Sequence, residues 1–493
     1  MTSRQLSDLG LTGQGGETPT VTGLAVDSRE VKPGYLFAAL PGSRVHGGEF
    51  AQYALRQGAT AILTDSAGAK LAEEALREHP ATLVVTEDPR GALAGAAAIW
   101  FGAQPATMVA VTGTNGKTSV ASFTRQLWQI IGKQAINLGT TGVEGSFEAP
   151  LAHTTPEPIT LHRALAAAAE AGVTHGAMEA SSHGLEQRRL DGVILKAAAF
   201  TNFTQDHLDY HGTFEAYFEA KARLFGEVLG EEGTAVLNMD DPRAADMAGI
   251  AEERGYRILT VGRFAHQPDF KIEAQRFDAT GQDIRVTFGG GTFTARLPLI
   301  GGFQAENVVL AAALTVAVGG SVREAFAAMP HLQTVRGRME HAATRDSGAA
   351  IFVDYAHTPD AVATALKAIR PHVLGRLVCV LGAGGDRDAG KRPLMGEAAA
   401  RYADVVFVTD DNPRSEDPAL IRRAVMEGCP EATDVGDRAE AILRAVDALD
   451  PGDTLLILGK GHETGQIVGD AVLPFDDVEQ ASIAVAALEG RLA

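Results

Sequence analysis

Cysteine is nearly absent: Cys379 and Cys429 are the two in 493 residues. That excludes a disulfide framework, and both thiols, set among apolar neighbours, are expected simply to pack. Long apolar runs are missing too. The longest candidate, Val308 to Val318, is alanine-rich and falls short of the ~18–20 apolar residues a membrane span needs, so no membrane insertion is expected. The opening residues lack the charged and apolar blocks of a secretory leader, and a reducing cytoplasm is the expected compartment. Basic charge is scarce, with 43 Lys and Arg against 62 Asp and Glu and a net charge of −19. Nucleic-acid surfaces need the opposite balance, so no nucleic-acid partner is expected, and any phosphate must be met by locally gathered cations. What the chain does have is a globular composition, 45% apolar with 55 glycines, and a length that predicts roughly three domains at about 150 residues each.

The most informative stretch is Val109-Ala-Val-Thr-Gly-Thr-Asn-Gly-Lys-Thr118. Met108 to Val111 reads as a buried parallel strand, and Ser119 to Ile131 reads as a helix. A strand, a glycine-rich turn and a helix make a phosphate-binding loop. Gly113 and Gly116 let the backbone turn its N–H groups inward, around Thr114 and Asn115. The helix N-terminus, from Thr118 and Ser119, adds partial positive charge. Lys117 can reach the outer phosphates and the Thr118 hydroxyl can hold magnesium. The spacing departs from the common GxxxxGK[ST], because only two residues separate Gly113 from Gly116-Lys117.

Three modules are expected, 1–104, 105–334 and 335–493. The first alternates strand-like runs (Leu36 to Leu40, Ala59 to Leu63, Thr82 to Val85) with helical stretches. In the other two, apolar runs repeatedly end in polar clusters. Ala177-Met178 leads to Glu179-Ala-Ser-Ser-His183, and Ala197 to Phe200 leads to Thr201-Asn-Phe-Thr-Gln-Asp-His207. Ile351 to Val353 leads to Asp354, Leu377 to Leu381 to Gly382–Asp388, Val405 to Val408 to Thr409–Arg414, and Leu455 to Leu458 to Gly459–Glu463. Open α/β sheets bind ligands beyond the carboxyl ends of their strands, so both larger modules should present sites. Asp269 to Leu299 alternates in polarity and should form antiparallel strands at an edge. Glu179, ending a strand, and His207 are candidate magnesium ligands. Lys221 sits in the helical Phe214–Phe225 segment, where the residues alone suggest nothing beyond a snorkelling lysine.

In joint order, Thr112–Thr118, Thr154-Thr-Pro156, Glu179–His183, Asp206-His-Leu-Asp209, Lys221, Arg336–Glu340, Asp354–Pro359 and Asp411–Arg414 resemble the Mur ligase family over essentially the whole chain. These are ATP-dependent amide-bond enzymes that build the peptidoglycan stem peptide. The resemblance implies an α/β fold of three domains: a small N-terminal α/β domain, a central P-loop ATPase-type domain with a mostly parallel sheet, and a C-terminal Rossmann-like α/β domain. It implies ATP and two magnesium ions, with Lys221 carbamylated by carbon dioxide so that it, His207 and Glu179 serve the metal sites. Asn307 matches the residue near the adenine, and Arg338 and Asp354 match nucleotide contacts. Ser28 and Ser43-Arg44-Val45 match positions that hold the uridine nucleotide of the substrate, although the Ser43-Arg44 loop departs from some relatives in residue type. Thr154, Thr155, Ser181, Gln187 and Arg189 match the clamp on the muramoyl-dipeptide.

Arg387, Asp411, Asn412, Pro413, Arg414, Gly459 and Glu463 match the amino-acid pocket. The Asp-Asn-Pro-Arg form resembles members that add meso-diaminopimelate. The extra carboxylate of that substrate suits an arginine fork, and Asp411 and Glu463 suit its ammonium. The activity implied is addition of this diamino acid to UDP-N-acetylmuramoyl-L-alanyl-D-glutamate through an acyl phosphate, by a monomer whose C-terminal domain closes on the middle one. The alternative is the same reaction with L-lysine or L-ornithine. Another stem-peptide step, a folylpolyglutamate synthetase and an NTP-driven switch that makes no bond are the remaining readings.

Overall fold

Runs of buried, mostly apolar residues, such as Ala61–Thr64 and Met108–Thr112, cannot face water on either side. They become inner strands of parallel sheets, covered by helices on both faces. The computed structural model describes residues 3–42, 45–206 and 208–491, with only the backbone of Leu208 and Asp209. The expectations for Ser43, Arg44 and His207 therefore lie outside the described residues. The chain divides into two compact units, Met1–Pro268 with Leu310–Val322, and Asp269–Val309 with Arg323–Ala493.

The first unit holds a parallel sheet of Gly23–Ala25, Tyr35–Ala38, Ala61–Thr64 and Thr82–Val85, in chain order. Alternation splits its core. Leu24, Leu36 and Leu63 pack toward Leu93 and Ala97 of the helix Pro89–Phe101, while Phe37 and Ile62 face Ala54, Leu55 and Ala72. A second sheet runs in the order Arg257–Gly262, Leu229–Asn238, Leu195–Phe200, Thr107–Thr112, His175–Glu179, Ala135–Gly139, Gly142–Gly145. All its pairs are parallel except the last. Both neighbours of Thr107–Thr112 come later in the chain, so strand order reverses there, and a crevice opens at the carboxyl end of that strand.

The second unit contains an antiparallel meander, Phe270–Asp278, Gly281–Phe288 and Gly291–Leu297. Its main sheet runs Glu340–Thr344, Ala350–Asp354, Thr454–Leu458, Leu377–Ala383, Val405–Asp410, Thr433–Asp434, parallel apart from the first pair. Cores lie on both faces, and the buried, unbonded Cys379 and Cys429 pack in one of them. The carboxyl ends of four strands bring Asp354, Gly384, Asp411 and Gly459 to one edge.

One local expectation is corrected, and two elements were not foreseen. The helix after the glycine turn is Lys117–Ile130, beginning two residues earlier than Ser119, because Gly116 at φ 86° serves as its N-cap and releases the chain straight into the helix. Gly23–Ala25 is a strand too short to show periodicity. After Glu463 comes a small hairpin, Gly465–Val468 with Ala471–Pro474, whose apolar Val468, Val472 and Leu473 are exposed, so no alternation of a buried with an open face marks it.

Candidate active site

The glycine turn is held by the segment that follows the neighbouring strand. Thr114 N–H donates to the Asn202 carbonyl (2.8 Å) and Asn115 N–H to Asn202 Oδ1 (2.9 Å). Thr201 Oγ1 donates to the Asn115 carbonyl at 2.5 Å, and Thr204 N–H to Thr114 Oγ1 at 3.0 Å. Gly113 sits at φ 144°, and a Cβ there would lie 1.9 Å from Thr201 Oγ1. Only glycine fits that bend. Ser119 is buried in the first turn of the helix.

Two lysines converge on one carbonyl. Lys117 Nζ donates to Gly113 O (2.9 Å) and Thr114 O (2.8 Å), and Lys221 Nζ donates to Gly113 O (2.8 Å). Lys221 is 1% exposed, with its Nζ 4.5 Å from the Tyr217 ring centroid. Burial, then the neighbouring Lys117 charge, push its pKa well below the ordinary 10.5, against a weaker opposing pull from Asp206. The sequence-level snorkelling reading is thereby corrected: this ammonium points inward, at the phosphate loop.

Glu179, 2% exposed, lies beside that loop. Its Oε2 accepts from Thr118 Oγ1 (2.9 Å) and its Oε1 from the Thr140 N–H (2.7 Å). Thr140 Oγ1 in turn meets Thr154 Oγ1 at 3.0 Å. A hydroxyl and a carboxylate buried together offer the hard oxygen donors magnesium prefers, so these residues fit the ion that the family pattern implies. Among the described residues no group of three or more His, Cys, Asp or Glu is arranged to hold a metal.

The residues expected to form the clamp gather around the same strand end. Thr155 Oγ1 donates to the Glu179 carbonyl (2.9 Å) and accepts from Ser181 N–H (3.1 Å). Arg189 donates to Thr155 O (2.6 Å) and to Gln187 Oε1 (2.8 Å). Burial and then Arg90 lower the pKa of Arg189. Its guanidinium is paired only with neutral oxygens in these bonds, a state suited to an anionic ligand. Ser28 is buried at the start of a short helical turn capped by Asp27, and Val45 is exposed.

In the second unit Asp354, buried, accepts from the Met339 and Ala356 N–H groups, both at 2.9 Å. Burial raises its pKa, opposed first by Arg338, whose guanidinium lies 4.8 Å from the Tyr355 ring centroid. Asn307, also buried, donates from its side chain to Gln304 Oε1 at 3.2 Å.

The residues expected to line the amino-acid pocket are tightly drawn. Arg414 has φ 52°, strained for a non-glycine residue, and is held by its N–H to Ile467 O (3.0 Å) and by Gly469 N–H to its carbonyl (2.7 Å). Its Nη1 donates to Gly385 O at 2.8 Å. A Cβ on Gly384 would meet Arg414 Nη1 at 2.9 Å and Arg387 Cγ at 3.9 Å, so both arginine side chains crowd that glycine. Pro413 closes on Gly385 in the same way, its carbonyl 1.9 Å from where a Cβ would sit. Gly459, at φ 115°, leaves room for Asp411 Oδ2, which a Cβ would approach to 2.5 Å. Asn412 donates to Glu463 Oε2 at 2.8 Å.

Residues outside the sequence expectations support these clusters: Thr140, Tyr217, Lys460 and the enclosed Arg438–Asp477 pair at 2.7 Å. Lys460 alone had a usable signal, a lysine inside the polar cluster that follows a wholly apolar strand.

Comparison with known proteins accords with this arrangement. The Mur ligase middle domain matches residues 111–315, the Mur ligase glutamate ligase domain residues 337–461, and the Mur ligase family catalytic domain residues 20–100. The UDP-N-acetylmuramoyl-L-alanyl-D-glutamate--2,6-diaminopimelate ligase of Chelativorans sp. (strain BNC1) is 48% identical over 466 residues, 94% of each chain. The protein of the same name from Rhizobium meliloti (strain 1021) is 49% identical over 465 residues, 93% of each. A solved structure of an enzyme so named superposes with a TM-score of 0.72 at 34% identity, covering 99% of this chain and 100% of the other. The chain belongs to the Mur ligase family.

Proposed function

We propose that the chain joins meso-2,6-diaminopimelate to UDP-N-acetylmuramoyl-L-alanyl-D-glutamate at the expense of ATP, in peptidoglycan synthesis. The observation that carries this is the phosphate loop itself: Lys117 and Lys221 gathered on the Gly113 carbonyl, beside the buried Thr118–Glu179 pair. On a chain with a net charge of −19, the Lys117 ammonium over a glycine turn at a helix N-terminus suits a polyphosphate. Relatives 48–49% identical over more than nine-tenths of their length carry the name of this ligase, which supports the substrate pair.

The γ-carboxylate of the D-glutamate attacks the terminal phosphorus of ATP, giving an acyl phosphate and ADP. The diamino acid's amine then attacks the acyl carbon, and phosphate leaves. Lys117 swings from the loop carbonyls to the outer phosphates and neutralises their charge, so positioning and electrostatics supply most of the rate. Thr118 and Glu179 would hold one magnesium ion, and His207 with carbamylated Lys221 a second; the metal supplies further charge neutralisation. Carbamylation needs a neutral Nζ to attack carbon dioxide and shed a proton, which the depressed pKa of Lys221 favours. Ser28, Ser43, Arg44 and Val45 serve the uridine nucleotide, Thr154, Thr155, Ser181, Gln187 and Arg189 the muramoyl-dipeptide, and Asn307, Arg338 and Asp354 the nucleotide. Arg387 and Arg414 receive the distal carboxylate, and Asp411 and Glu463 the ammonium.

The modules 1–104, 105–334 and 335–493, a monomeric state and a cytoplasmic location belong to the same proposal. Among the described residues no helix is long and apolar enough to cross a membrane.

The test is a product assay with the UDP-muramoyl-dipeptide, ATP, magnesium and equal concentrations of diaminopimelate, lysine and ornithine. Tripeptide product containing diaminopimelate is expected, with phosphate release dependent on both dipeptide and amine. Phosphate release without either substrate would overturn the ligase reading, and preference for lysine or ornithine would overturn the amino-acid assignment.

A further inference from the structure

Lys460 has no part in the chemistry above, yet its side chain is fully enclosed, at 0% exposure, beneath the amino-acid pocket. Burying an ammonium is costly unless partners repay it, so what it touches matters. Its Nζ donates to Asn412 Oδ1 at 2.9 Å and lies 3.5 Å from Glu463 Oε2. Asn412 Oδ1 also accepts from the Ile467 N–H at 2.9 Å. Two donors on that atom decide which end of the amide is oxygen. The NH2 end is thereby turned to Glu463 Oε2, which it reaches at 2.8 Å. Glu463 differs from its two partners in being one-third exposed, at 32%. Its carboxylate is pinned from beneath at Oε2 while the side chain still reaches solvent.

We propose that Lys460 is a positioning residue for the incoming amino acid. Acting through the Asn412 amide, it sets the Glu463 carboxylate where an ammonium group is received, and so governs affinity for the diamino acid rather than phosphoryl transfer. This role deepens, and rests on, the ligase reading above. The carboxylate could in principle be oriented by Asn412 alone. However, without the Lys460 donor the amide keeps only the Ile467 N–H on its oxygen, and its rotation is no longer opposed by a buried charge.

Lys460→Met removes the charge at similar volume, and Lys460→Gln keeps a shorter neutral donor for Asn412. For the methionine variant, KM for diaminopimelate should rise about tenfold or more while KM for ATP and for the UDP-dipeptide stay within about twofold, with the glutamine variant between it and wild type. A KM for diaminopimelate unchanged in a folded variant overturns the role, as does an equal rise in all three KM values. Crystal structures of the variants give a readout independent of turnover: the Asn412 amide and the Glu463 carboxylate must shift, and their staying in place overturns the role. Should the methionine variant fail to fold, the glutamine variant decides by the same criteria. If wild type makes no tripeptide, the ligase reading falls, while the variant structures still decide whether Lys460 orients Glu463.

Discussion

Lys221→Met is expected to stabilise the fold while abolishing turnover. The enclosed Lys221 ammonium has a hydrogen bond to Gly113 O at 2.8 Å and the Tyr217 ring at 4.5 Å in its favour. A charge-assisted hydrogen bond contributes about 1.5–3 kcal/mol and a desolvated cation–π contact about 2 kcal/mol. Against them stands the cost of taking the ion out of water, several kcal/mol, and then repulsion from Lys117. Together the opposing effects prevail, and the folded pKa lies well below 10.5. The sign follows. Above pH 10.5 the amine is neutral in both states and costs nothing. As pH falls below 10.5 the unfolded chain takes up a proton that the folded chain refuses, and stability drops by about 1.4 kcal/mol per pH unit. The drop continues until the folded pKa is reached, and below it the full cost persists.

Methionine removes this titration at similar volume. The stability advantage of Lys221→Met over wild type should therefore shrink as pH rises from 8.5 to 9.5, by no more than about 1.4 kcal/mol. Guanidinium unfolding followed by tryptophan fluorescence suits the measurement, because both tryptophans of the chain, Trp100 and Trp128, lie in the unit that holds Lys221. Buffers must be free of carbon dioxide, so that carbamate does not replace the amine. Stability curves that run parallel across this range, or a variant less stable than wild type at pH 8.5, would refute the reasoning. So would a variant that retains turnover.

Gly113→Ala places a methyl group 1.9 Å from Thr201 Oγ1 at φ 144°. Backbone strain of about 1–3 kcal/mol and a displaced hydrogen bond of about 1 kcal/mol should weaken ATP binding by about 30-fold or more, and a calorimetric Kd unchanged from wild type would contradict this. Arg414→Ala removes a charge-assisted partner for the distal carboxylate and should cost about 2 kcal/mol or more in kcat/KM for diaminopimelate; an undiminished preference over lysine would end that assignment. Arg438→Met strands the enclosed Asp477 and should cost about 3–5 kcal/mol of stability, largely recovered in Arg438→Met/Asp477→Leu. Hydrogen exchange of the second unit measures both, and a single variant as stable as the double would disprove the coupling.

What could be read from the chain was whatever is written in contiguous residues. The strand–turn–helix at Thr107–Ile130 declares itself because an apolar run, two glycines and Lys-Thr follow one another directly, and the polar clusters at Glu179, Asp354, Asp411 and Gly459 declare themselves because each follows its own strand. What could not be read was the pairing of those clusters. Thr140 serves Glu179 across 39 positions, Lys460 reaches Asn412 across 48, and Arg438 meets Asp477 across 39. No local pattern encodes such contacts; the order of strands in a sheet creates them. The same holds for Lys221, which sits 108 positions from the Gly113 carbonyl it touches. On its own helix its neighbours three and four residues away, Tyr217, Phe218, Leu224 and Phe225, are apolar and buried, which marks the inward face, but only the packing of Phe214–Arg223 decides which carbonyl it meets there. Helical spacing can say that such a residue faces inward; it cannot say which distant loop it meets, so a site made by burial becomes legible only once the order of the strands is known.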